Sequence, residues 1–148
     1  MQEVYADGAR DSGASLAFAL TQAKGLLTAR RPAILYVQLA QDGQFFGLPY
    51  GPGLASFGLD PDRVVIVRVA DMTEFLWATE EATACRAVAA IIAEVKGSSK
   101  LLNFTASRRL SLRASANRVS LFMLRYGPRR ESSAGHLRCF PVVVRSAA

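Results

Sequence analysis

Four stretches of this chain are apolar almost without interruption: Ala33-Ile34-Leu35-Tyr36-Val37-Gln38-Leu39, Val64 to Val69, Val88 to Val95, and Ser120 to Leu124. Unbroken runs of this length, as opposed to alternating ones, predict strands buried on both faces. Between them the apolar positions recur at helical spacing. Leu16, Ala19, Leu20, Ala23, Leu26 and Leu27 predict a helix from Ser15 to about Ala29. Arg30-Arg31-Pro32 should end it, because basic side chains suit a helix C-terminus and proline cannot continue the helix. Asp71 followed by Glu74 has capping-box spacing and opens a second helix, with Phe75, Leu76, Ala78, Ala82 and Cys85 turned inward. Thr105 is expected to cap a third, with Leu110, Leu112 and Ala114 on its apolar side and Arg108, Arg109 and Arg113 on its basic side.

Glu3-Val4-Tyr5-Ala6 reads as a short first strand. Gly43 to Gly58 reads as loop with a short helix near Leu54–Phe57, and Asp60-Pro61-Asp62 as a turn. Gly97-Ser98-Ser99-Lys100 is a polar linker, and Cys139 to Arg145 has the composition of a last strand. Strand and helix therefore alternate. The expected fold is α/β, a mostly parallel sheet with helices on both faces. The domain is expected over residues 1–126, followed by a flexible basic C-terminal segment over 127–148.

At 148 residues the chain is long enough for one sizeable core. No apolar run approaches the ~20 residues of a membrane span. Acidic residues (Glu3, Asp7, Asp11) stand where a signal peptide would be basic, so a cytoplasmic protein with no membrane partner is expected. Cys85 and Cys139 are read as buried, unpaired thiols. Charge is uneven: residues 1–95 carry a balance of −4 and residues 96–148 one of +10. The basic third gathers Arg108, Arg109, Arg113, Arg118, Arg129 and Arg130, which suit either DNA phosphates or an acidic partner surface. Trp77, Phe75, Phe45, Phe46 and Phe57 are weighed as core, although Phe45, Phe46 and Tyr50 in the glycine-rich loop would also suit a protein partner. His136 has no catalytic companion, and no triad is in reach of Ser107, Ser111 or Ser115.

The segment Gly8-Ala9-Arg10-Asp11-Ser12-Gly13-Ala14-Ser15 follows the first strand and precedes a helix. It keeps both glycines and the terminal serine of the phosphate-binding pattern G-x-x-x-x-G-K-[ST], with Ala14 in the lysine's place. A missing charge-assisted contact weakens phosphate binding by about 1.5–3 kcal/mol. Gln38-Leu39-Ala40 closes the second strand, and Glu94 stands near the end of the run Val88 to Val95.

Several blocks are distinctive in wording: Tyr50-Gly51-Pro52-Gly53-Leu54, Gly58-Leu59-Asp60-Pro61-Asp62-Arg63, Leu76-Trp77-Ala78-Thr79-Glu80-Glu81-Ala82, Val88 to Glu94, and Leu102-Asn103-Phe104-Thr105-Ala106-Ser107-Arg108-Arg109-Leu110. In these and in their order the chain resembles the RecA-like ATPases, more closely the ImuA branch of bacterial mutagenesis proteins, over roughly residues 3–125. The resemblance implies a RecA-like P-loop core, in which a catalytic acid would follow the second strand, where Gln38-Leu39-Ala40 stands, and a Mg²⁺-binding aspartate would end the third long one, where Glu94 stands. It also implies a place in the SOS response to DNA damage, as an accessory of translesion synthesis. The implied partners are an ImuB-like polymerase relative and an error-prone polymerase, with DNA or RecA as further candidates.

Residues and resemblance together predict a non-catalytic pseudo-ATPase. Gly8, Gly13, Ala14, Ser15 and Glu94 would be remnants of a nucleotide site, with no cofactor and no productive ATP or Mg²⁺ binding. Two alternatives stand beside it: a DNA-dependent ATPase of RecA type, and a cell-division inhibitor resembling SulA.

Overall fold

A computed structural model describes residues 1–6, 8–127 and 137–139. Its strands are β1 (Gln2–Ala6), β2 (Ala33–Leu39), β3 (Val64–Val69), β4 (Val88–Lys96), β5 (Ser120–Tyr126) and the three-residue β6 (Leu137–Cys139). They form one sheet in the order β3-β2-β4-β5-β1-β6, with every pairing parallel. The helices are α1 (Ser12–Lys24), the short α2 (Gly43–Phe46) and α3 (Gly51–Ser56), then α4 (Met72–Ala84) and α5 (Phe104–Ala116). The α/β expectation therefore holds, and each apolar run of the sequence is a strand; Val64–Val69, however, is the edge strand β3 with only Val69 buried, so its expected burial on both faces is wrong.

β4 runs through the middle with all but its last residue buried, as its unbroken apolar sequence requires. Alternation along the strands sorts the core into two layers. Ile34, Tyr36, Ala90, Ile92, Phe122 and Leu124 face α1 and α3. Val37, Leu39, Ile91, Ala93, Leu121 and Met123 face α4 and α5.

The helix ends differ from expectation, each for a local reason. α1 stops at Lys24 because Gly25 follows, and Thr28 and Arg31 then close a tight turn through reciprocal backbone bonds of 3.1 and 3.2 Å. Leu26 and Leu27 thus lie beyond the helix. α5 is capped by Asn103, not Thr105: the Asn103 side chain accepts from Ala106 N at 3.0 Å. Leu112, expected on the apolar side, points to solvent, 59% exposed. The capping box at Asp71 is present, although Glu74 reaches back to Ala70 N, one residue before the cap. Cys85 ends α4 and is exposed, so its expected burial is wrong; the side chain of Cys139 lies outside the described residues. Of the aromatics weighed as core, only Phe75 is fully buried, while Trp77, Phe45 and Phe57 are exposed.

β1 and β5 also share a buried ionic group that composition did not reveal. Arg125 Nη1 lies 3.8 Å from Glu3 Oε1, and the Tyr5 hydroxyl donates to Glu3 Oε2 at 2.8 Å. All three side chains are at most 6% exposed. Burial, then the hydrogen bond to Glu3, pushes the Tyr5 hydroxyl above its ordinary pKa. Removing one member of such a group strands the other's charge, which costs about 3–5 kcal/mol. Arg125→Met should therefore lower unfolding stability by about that amount in urea titration; a change under about 1 kcal/mol would show that the ion pair is dispensable.

Candidate functional site

In an open parallel sheet the natural binding crevice lies beyond the carboxyl ends of the strands. Here those ends are occupied by the protein's own side chains. Glu94, near the end of β4, is 1% exposed. Register places Gln38 of β2 directly beside it, and the i, i+2 rule puts Tyr36 on the same face. Tyr36 Oη donates to Glu94 Oε2, Gln38 Nε2 donates to the same oxygen at 3.2 Å, and Tyr126 Oη of β5 donates to Glu94 Oε1 at 3.0 Å. Gln38 Nε2 also reaches Tyr36 Oη at 3.1 Å and the carbonyl of Gly47 at 2.9 Å.

The segment after β2 closes over this cluster. Asp42, 4% exposed, accepts from Lys96 N at 3.1 Å. That anchors α2, whose Phe46 ring lies 4.7 Å from the ring of Tyr126. Lys96 Nζ sits 3.0 Å from the centroid of the exposed Phe45 ring. Gly47 has φ 68° and turns the chain back outward. The stretch expected as loop with one short helix is thus two short helices, the first packed into the crevice mouth.

Burial raises the pKa of Glu94, opposed by the hydrogen bonds from Tyr36, Tyr126 and Gln38 and reinforced by the Asp42 charge. Burial raises Asp42 as well, against its bond to Lys96 N. Tyr36 and Tyr126 are pushed far up by burial and then by the Glu94 charge, so both stay protonated donors.

The glycine loop has none of the geometry its spacing suggested. Ala9–Asp11 wind into a 3-10 turn closed by Asp11 N to Gly8 O at 3.2 Å, and α1 begins at Ser12. Gly13, Ala14 and Ser15 therefore lie in the first turn of a helix. Neither Gly8 nor Gly13 has positive φ, and a Cβ added to either would meet nothing within 4 Å. Ser15 Oγ is buried and meets no hydrogen-bond partner of normal geometry. Of the five loop-set residues, Glu94 lies in the crevice and Ser15 is buried in the first turn of α1, where the Ser12 carbonyl accepts from Tyr126 Oη at 3.4 Å; Gly8, Gly13 and Ala14 contribute no hydrogen bond to the cluster. Glu94 is enclosed and not open at the strand end, as a metal-binding position would be.

The basic set also divides. Arg109 pairs with Glu80, and Arg113 lies 3.5 Å from Glu80 and 3.8 Å from Glu81, so both tie α5 to α4. Arg108 is exposed on the same helix. Arg118 lies past its end, at the opposite end of the sheet from the crevice. Arg129 and Arg130 lie outside the described residues. Sequence reasoning missed Tyr36, hidden in an apolar run, and Tyr126, which lies two residues beyond one. The signal for them was a polar hydroxyl on the same face as a buried acid.

No protein-family model and no curated protein sequence matches the chain. The crystal structure of SulA from Pseudomonas aeruginosa superposes with a TM-score of 0.56 and 18% identity, over 84% of this chain and 96% of that one. The two share a fold.

Two outcomes test this geometry. Gly13→Ala should stabilise the protein by about 0.4–1 kcal/mol, since the helix gains propensity and the space is open; a loss would show that the glycine is needed for conformation or close approach. A carboxyl whose folded pKa exceeds its unfolded value holds its proton better when folded, so stability falls as pH rises from the ordinary 4.5 through the raised value. The urea midpoint should fall over that window, and Glu94→Gln should flatten the fall, leaving the part due to Asp42.

Proposed function

We propose that the chain is a non-catalytic accessory protein of the DNA-damage response, of the ImuA kind, which works by binding other proteins. The observation that carries this reading is the enclosed Glu94. Its two oxygens are engaged by Tyr36, Gln38 and Tyr126, and α2 packs over them, where an ATPase would need an open metal and phosphate site. The residues do not fit ATP and Mg²⁺: the loop is wound into a turn, Ala14 has no charge, and Ser15 is buried.

Apolar side chains left in solvent support protein partners, because exposed aromatic and aliphatic anchors are what interfaces use. Trp77, Leu101, Phe104 and Leu112 stand on or beside α4 and α5, and Phe45, Leu48, Tyr50 and Phe57 on the α2–α3 side. An ImuB-like polymerase relative is the proposed partner, with an error-prone polymerase acting beside it. A second reading, a division inhibitor of the SulA kind, is favoured by the shared fold. Both place the protein in the SOS response, and cells separate them.

Purified protein should release phosphate from ATP at background rate with and without single-stranded DNA; turnover lost on Ser15→Ala would overturn the non-catalytic reading. Loss of the gene should lower damage-induced mutagenesis, and the protein should co-purify with the ImuB-like partner. Filamentation on overexpression, without an effect on mutagenesis, would favour the SulA reading.

A further inference from the structure

Four loops that enter the sheet carry arginine just before their strand: Arg63 before β3, Arg30 and Arg31 before β2, Arg86 before β4, and Arg118 before β5. These strands are neighbours and parallel, so the loops lie side by side at the amino end of the sheet. At a strand spacing of ~4.8 Å the row spans about 14 Å. The loops are fastened to one another. Arg31 Nη1 donates to the Arg118 carbonyl at 2.7 Å and Nη2 to that of Asn117 at 3.1 Å. Ala33 N donates to the Ala87 carbonyl at 3.1 Å.

Two of the five arginines are engaged in holding structure. Arg31 binds the carbonyls past the end of α5, and Arg63 lies 4.0 Å from Asp60 and 3.4 Å from the Pro32 carbonyl. Compensation of helix carbonyl ends accounts for Arg31. It does not account for Arg30, Arg86 and Arg118, whose side chains are exposed and make no ion pair or hydrogen bond among the described residues. Around them stand Ala29, Ala84, Ala87, Ala116 and Asn117, all exposed and small. Of the large exposed apolar side chains, Leu26, Phe57 and Val65 lie on segments beside the β2 and β3 entries, and the β4 and β5 entries carry none.

We propose that this row is a binding surface for the phosphodiester backbone of a nucleic acid. A protein interface would need apolar or aromatic anchors among the charges; a phosphate backbone needs only spaced, fixed cations. The surface lies at the end of the sheet away from the enclosed Glu94, and the proposal does not depend on the protein-binding role above.

Salt-titrated fluorescence anisotropy with labelled single-stranded and duplex oligonucleotides tests it. The variant carries Arg30→Gln, Arg86→Gln and Arg118→Asn; asparagine accommodates the φ of 54° at position 118. The full-length variant should keep the wild-type urea midpoint and bind DNA about tenfold or more weakly at low salt. Its log–log salt slope should shrink by roughly two on single strands and three on duplex. Wild-type protein that binds neither oligonucleotide, or a variant unchanged in affinity and slope, would overturn the proposal. So would a loss produced by Arg108→Gln alone. Equal binding to poly-glutamate, lost in the same variant, would assign the row to an acidic protein and overturn it too.

Discussion

A carboxylate in the middle of a sheet must be hydrogen-bonded or neutral, because a bare charge there is prohibitively costly. How Glu94 meets that demand organises the carboxyl end of this molecule. Its three donors come from β2 and β5, the neighbours of β4 on either side, so the same group that satisfies the acid also ties three strands together. Gln38 extends the tie to Gly47, and Phe46 against Tyr126 draws α2 into place. A slip of one residue in β2 would carry Tyr36 and Gln38 to the other face and leave Glu94 without two donors. Filling the crevice and fixing the register are therefore one event.

The ion pairs show a second economy of placement. Glu3 and Arg125 are buried together beside Tyr5, whereas Glu80 and Glu81 reach only the half-exposed Arg109 and Arg113 between α4 and α5. Pairs of the exposed kind contribute little, about 0–1 kcal/mol, but they do remove Arg109 and Arg113 from the set available to an outside anion. The net charge of the basic third is thus a poor guide to where an anion would go. Position in the topology is a better one. Arg30, Arg31, Arg63 and Arg86 come from the half of the chain whose balance is −4, and they assemble with Arg118 only because parallel strands bring their entry loops together.

What the sequence made legible follows the same division. The apolar runs at Ile34, Ile91 and Phe122 announced buried parallel strands, since burial on both faces leaves no alternation to misread, whereas the equally apolar run at Ile66 is the sheet's exposed edge strand. Helix ends were less legible: apolar spacing pointed past Gly25, where α1 stops, and the Thr105 hydroxyl pointed past Asn103, which caps α5 through its bond from Ala106 N. At the site, Glu94 was found by its position at a strand end. Its tyrosine partners were not, because Tyr36 and Tyr126 look like core residues until a register places their hydroxyls against an acid. The glycine loop failed in the opposite sense, keeping the letters of a motif without its φ values or its close approaches.

Spacing of glycines records a requirement only where the backbone still has one. Among the described glycines positive φ occurs at Gly47, Gly58, Gly97 and Gly127, and not at Gly8 or Gly13. Gly47 is the informative case, for its turn carries the carbonyl that receives Gln38 and releases the chain from the crevice toward the exposed Tyr50. The conformational demand that a phosphate loop would place after β1 has no counterpart there; a demand of that kind appears after β2, where the backbone closes the same crevice from the other side. A fold shared with SulA accommodates this, since a fold fixes where crevices and surfaces lie and leaves their chemistry to particular side chains. With the crevice filled by Tyr36, Tyr126 and Phe46, the side chains still free to act are those turned outward.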